Sequence, residues 1–144
     1  MLPFHVQLRP GDTPLRQVVF AATKAILAGV LREGDAFPSV REISEALRIH
    51  PNTAQKIVAE LVRDGFLTVQ PGIGTTVNRP PVASRSSRGH VLEELLEASV
   101  VEARRQGWEM SELLAAVEAQ WVAAFGADDA NAHGKVHARP GRGK

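Results

Sequence analysis

The chain predicts a mostly α-helical protein in two parts: three helices closed by a β-hairpin, then a small two-helix C-terminal unit. Three observations carry that prediction. Apolar residues recur at three- and four-residue spacing through five stretches. β-Branched and aromatic residues fill Phe66 to Asn78, interrupted once by Pro71-Gly-Ile-Gly74. Residues 79–89, rich in Pro, Ser and Arg, have no apolar period and read as a linker.

Thr13-Pro14 opens the first helix, about 14–28, because Thr13 suits an N-cap and Pro14 lacks the N–H that a first helical residue leaves unpaired anyway. Leu15, Val18, Val19, Ala22, Ile26 and Leu27 form its apolar face, and Gly29 is a natural left-handed stop. Gly34-Asp35 marks a turn. Ser39-Val-Arg-Glu42 has the spacing of a capping box and starts a short second helix with a stripe of Val40, Ile43 and Leu47. Arg48-Ile-His50 breaks the period, and Pro51 restarts it as a third helix whose stripe is Ala54, Ile57, Val58, Leu61 and Val62, ended by Asp64-Gly65. Phe66–Gln70 and Thr75–Asn78 then flank the glycine-bearing turn of a hairpin. That order is a winged helix-turn-helix, assigned to residues 8–78.

After the linker, Val91, Leu92, Leu95, Leu96, Ser99 and Ala103 predict a helix over about 90–105, ended near Gln106-Gly107. Met110, Leu113, Leu114, Val117, Trp121 and Phe125 predict another over about 111–125, with Ser111 as cap and Gly126 as stop. Two helices of about this length cannot bury both their faces unaided, so residues 90–126 read as a dimerisation or effector unit. Leu92, Leu95, Leu96, Leu113, Leu114, Val117 and Trp121 are its candidate dimer contacts, and Trp108 and Phe125 add aromatic area for packing. Residues 127–144, small and polar and finally basic, predict a disordered tail.

The 144 residues include 17 Lys and Arg, 16 Asp and Glu and no cysteine, which excludes disulfides and thiolate chemistry and fits a cytoplasmic protein. No apolar run is long enough to cross a membrane, and His5, Gln7 and Arg9 interrupt what would be a signal-peptide core. The net charge of +1 hides a division: residues 1–80 carry 9 basic and 7 acidic side chains, 81–134 carry 4 and 9, and 135–144 carry 4 and none. No phosphate-binding glycine loop, catalytic triad or carboxylate pair is evident, so no enzyme activity and no cofactor are expected. His133 and His137 have the spacing of helical metal ligands but lie in the Gly/Pro-bearing tail, and no metal site is assigned.

Pro14-Leu15 with Ile26-Leu-Ala-Gly29, the run Gly34–Glu42, Pro51-Asn-Thr53, Glu60–Leu67 and the Gly72/Gly74 wing together closely resemble the DNA-binding domain of GntR-type bacterial transcription regulators. The Pro51–Lys56 run and the short two-helix C-terminal region are similar to the YtrA-like branch, often small dimeric repressors. The resemblance implies that Arg41 on the second helix is directed at DNA, and that His50, Asn52, Thr53 and Lys56 present side chains in the major groove. It also implies that the backbone at Gly72 approaches the minor groove. Gln55 stands where many relatives outside this branch carry a basic residue, and Ile57-Val58 replaces an Ala-Tyr pair common within it.

These residue types suit the task. A helix N-terminus offers unpaired amides to phosphate, Asn52 or Gln55 can pair bidentately with adenine and Arg41 with guanine, and Lys56, Arg9 or Arg16 can meet phosphates. The same residues have plainer uses. Asn52 and Thr53 are also capping types, Glu42 and Glu45 would partner Arg41, and Gly72 and Gly74 serve the turn in any case. The expected function is a homodimeric repressor on a two-fold symmetric operator, with room for a small-molecule effector between subunits and no membrane partner. The alternative is a winged-helix module that binds a protein partner without specific DNA binding. The basic tail, Lys135, Arg139, Arg142 and Lys144, either adds nonspecific DNA affinity or is merely solvated.

Overall fold

A computed structural model describes residues 1–82 and 89–129. The chain divides into two units, Met1–Val82 and Ala83–Lys144.

In the first unit, α1 (Pro14–Leu27) begins as its sequence dictates: Thr13 is extended and its hydroxyl accepts the Arg16 N–H at 3.2 Å. It buries Val18, Ala22, Ala25 and Ile26, and Gly29 follows at φ 77. Leu27, on the predicted apolar face, is instead exposed, because it lies at the edge of the buried stripe. α2 (Val40–Leu47) starts with the reciprocal cap, Ser39 Oγ accepting from Glu42 N–H and Glu42 Oε2 accepting from Ser39 N–H, each at 3.1 Å. Ile43 is fully buried, while Val40 and Leu47 are half-buried. The break that follows has a definite geometry. Arg48 adopts a left-handed conformation (φ 53, ψ 46), and the Ser44 hydroxyl donates to the Ile49 carbonyl at 2.8 Å.

α3 (Pro51–Arg63) turns Ala54, Ile57, Val58 and Leu61 inward against α1 and α2. Val62, predicted for the same stripe, is exposed because it sits one position round from that covered face. β1 (Leu67–Gln70) and β2 (Gly74–Val77) pair antiparallel, with Leu67 opposite Val77 and Gln70 opposite Gly74. Gly34-Asp35 is a turn, with the Asp35 carboxylate accepting from Arg32 N–H at 2.8 Å, but its segment also pairs with β2. Ala36 bridges Thr76, Gly34 N–H donates to the Val77 carbonyl at 2.8 Å, and Phe37 N–H donates to that of Thr75 at 2.8 Å.

The core gathers Val18, Ala22, Ile43, Ile57, Leu61 and Leu67. It extends before residue 8, where Leu2 and Val6 pack on it and the buried Phe4 ring stacks on Phe37 with centroids 5.8 Å apart.

In the second unit, α4 (His90–Arg105) and α5 (Met110–Phe125) match the predicted spans within a residue. The α5 cap is Glu109, paired reciprocally with Glu112, and Ser111 lies inside the helix; a carboxylate can accept the orphan amides as a hydroxyl does. Near the end of α4, Glu102 receives two hydrogen bonds from Arg105 (2.6 and 2.8 Å) and one from Gln106 (2.6 Å), which hold its carboxyl below the usual range. Neither helix has a buried residue among those described. Trp121 meets Phe125 edge-on at 5.4 Å, and its indole N–H donates to Asp129 at 3.1 Å. Residues 127–129 form a helical turn where disorder was expected. The rest of the tail, including Lys135, His133, His137, Arg139, Arg142 and Lys144, lies outside the described residues, as do linker residues 83–88. Among the described residues no helix is long and apolar enough to cross a membrane.

Candidate nucleic-acid interface

α3 is two-faced. With Ala54, Ile57, Val58 and Leu61 committed to the core, residues 52, 55, 56 and 59 fall on the opposite side, since positions three and four apart share a face. Asn52, Gln55 and Lys56 are exposed, and none has a side-chain hydrogen bond or ion pair among the described residues. Thr53 is half-buried between the two faces.

The start of α3 resolves the question of capping. The cap is His50, whose Nδ1 accepts the Asn52 N–H at 3.0 Å, so the Asn52 and Thr53 side chains are not used for it. His50 therefore holds the helix end in shape, and its Nδ1 lone pair is already occupied. Sequence reasoning missed this role because an imidazole is not among the usual capping types. Arg48 was missed as well: it leaves the exposed turn between α2 and α3 with no ion-pair partner among the described residues. Arg48 and Lys56 thus place two cations, without ion-pair partners among the described residues, within five residues of the first residue of α3, whose N-terminus is itself electropositive from its unpaired amides.

Arg41 projects from the first turn of α2 with its side chain 86% exposed, held by Glu45 one turn on at 2.9 Å. Both partners are solvated, and such a pair contributes only about 0–1 kcal/mol, so exchanging Glu45 for a phosphate or a guanine edge is inexpensive. Arg16 is similarly paired with Asp12 at 3.7 Å, whereas the Arg9 side chain has no partner among the described residues and its backbone is clamped by the Gln17 amide at 2.7 and 2.9 Å.

Gly72 (φ 78) and Gly74 (φ 115) make the hairpin turn, and a Cβ at either would meet open space. Glycine is required there by backbone conformation and not by crowding. The hairpin tip and the start of α2 face each other across a shallow cleft lined by Ser39, Val40, Glu42, Ile73 and Thr75. The α2 turn that carries Arg41 and the hairpin tip are therefore neighbours. Among the described residues no three His, Asp or Glu side chains converge as a metal site requires.

The model of the gntR family of bacterial regulatory proteins matches residues 15–77, the stretch from the first turn of α1 to the end of β2. Over 126 residues the chain is 27% identical to the HTH-type transcriptional repressor YtrA of Bacillus subtilis, covering 85% of this chain and 93% of that protein. Its fold is shared with a transcriptional antiterminator from Listeria monocytogenes (TM-score 0.71, 21% identity, 81% of this chain and 88% of that one). A transcriptional regulator from Oenococcus oeni is also similar (TM-score 0.54, 25% identity, 79% and 96% covered).

Proposed function

We propose that this chain, whose residues 15–77 match the model of the gntR family, is a cytoplasmic, homodimeric transcriptional repressor of the YtrA-like kind. The observation that carries the proposal is the face of α3: Asn52, Gln55 and Lys56 stand exposed, without a side-chain partner among the described residues, in the N-terminal half of a helix whose other side is core. Each protomer inserts that end into a major groove, and Arg41 and Gly72 approach DNA from α2 and from the hairpin. Two such heads, related by a two-fold axis, read half-sites centred about 34–36 Å apart. The repressor name of the B. subtilis relative, similar along most of both chains, supports the direction of regulation.

The dimer is assigned to α4 and α5, whose exposed Leu92, Leu95, Leu96, Leu114, Val117 and Trp121, with half-buried Leu113, lack any covering surface among the described residues. An effector would act by altering the spacing of the two heads.

The test is fluorescence anisotropy with the full chain on a duplex selected from random DNA. Arg41→Ala and Thr53→Ala should each weaken binding by about 5–150-fold, the equivalent of about 1–3 kcal/mol per base or backbone contact. Tight binding untouched by both substitutions would sink the recognition surface, and a stable monomer with only nonspecific affinity would favour a protein-binding module.

A further inference from the structure

From Gly65 to Asn78 the hairpin has no ionisable side chain. Its turn is closed by Ile73, 77% exposed and set between Gly72 and Gly74, so that neither chain neighbour of this branched apolar residue carries a side chain. The tip is also held in place. Ile73 N–H donates to the Gln70 carbonyl at 3.0 Å, and β2 is tied on its other edge to Ala36 and Phe37. Across the cleft lies the first turn of α2.

An uncharged hairpin gains nothing from displacing counterions at phosphates. What it offers is shape and apolar surface. The minor groove is about 6 Å wide, and its floor is smooth at A·T pairs, whereas at G·C pairs the guanine N2 amino group projects into it and needs an acceptor. An isoleucine tip offers none. Pressed against G·C it would strand that amino group without a partner, a penalty that A·T does not incur.

We propose that Ile73 is a specificity-determining residue that reads A·T against G·C in the minor groove beside each half-site. This rests on the DNA-binding reading above, and it adds a discrimination made by an apolar side chain where a cation would give only affinity.

Inosine tests it, because an inosine·C pair has the major-groove face of G·C without the N2 amino group. The duplex selected by the full chain is footprinted with hydroxyl radicals to find the minor-groove positions beside the half-sites, and those pairs are made A·T, G·C or inosine·C. The A·T and inosine·C duplexes should bind alike, with G·C weaker by about tenfold, a usual cost for one wrong pair. Ile73→Ala should shrink that ratio to under about threefold, and Ile73→Lys should strengthen all three duplexes and steepen the log K against log salt slope by about 0.9. Ile73 is exposed and lies outside the core cluster, so neither substitution removes core packing.

Inosine·C binding as weakly as G·C, or an Ile73→Ala protein that keeps the tenfold ratio, would overturn the inference. If Arg41→Ala weakens binding while wild type holds all three duplexes equally, the wing inference alone fails. If no duplex is recovered from the random pool, the DNA-binding reading fails and this one with it.

Discussion

Arg48 is the one non-glycine residue at positive φ among those described. A left-handed conformation costs an L-residue with a Cβ roughly 1 kcal/mol, and glycine at this helix end would avoid it. The strain sits next to the proposed reading head, at an exposed arginine with no ion-pair partner among the described residues. Arg48→Gly should therefore move two properties in opposite directions. Stability should rise by about 0.5–1 kcal/mol in urea denaturation. DNA affinity should fall evenly across sequences, with the salt slope reduced by about 0.9, as for a lost phosphate contact. An unchanged salt slope would remove Arg48 from the interface and leave its strain without a function.

At the scale of the element, α3 faces α1 and α2 with one side and solvent with the other, so the placement of its proposed reading face depends on the core. Leu61→Ala should cost about 2–5 kcal/mol. Phe4→Ala should cost about 3 kcal/mol, although it lies outside the helices, because its ring is buried against Phe37. Both are read by thermal or urea unfolding of the full chain, and an unperturbed Phe4→Ala would mean that the first eight residues do not belong to the folded unit. Helix boundaries were legible because Thr13, Ser39, Pro14, Pro51 and Gly29 act locally, through their own amides and dihedrals. The pairing of Ala36 with Thr76 was not, since it joins residues 40 positions apart and no local propensity encodes it. Leu2, Phe4, Val6 and Leu8 alternate with period two and were a readable signal of a packed strand-like segment. At the candidate site, Asn52, Gln55 and Lys56 were legible because the core stripe of α3 leaves them only the other face. Ile73 escaped notice because reading for charge and hydrogen bonding passes over an exposed aliphatic residue, and Arg48 because a break in periodicity conceals the conformation inside it.

For the whole molecule, the contrast between the units sets the expected behaviour. Met1–Val82 has a core and can be stable alone, whereas α4 and α5 bury no residue of their own among those described. Leu96→Glu, on that uncovered face, should weaken self-association by about 10–100-fold, since burying a leucine is worth about 1.5–3 kcal/mol. Analytical ultracentrifugation across a concentration series checks it, and an unchanged dimer would relocate the interface. The melting of the C-terminal half should then depend on protein concentration, while the melting of the N-terminal half does not. In the proposed homodimer, a half that takes its interior from a second copy would make the protein a gauge of its own abundance. On that proposal, only weakly held single heads would exist at low copy number, and operator occupancy would climb with roughly the square of expression while the chain is mostly monomeric. The missing core of the C-terminal helices would thus set a threshold in gene dosage, below which the proposed operator would stand empty.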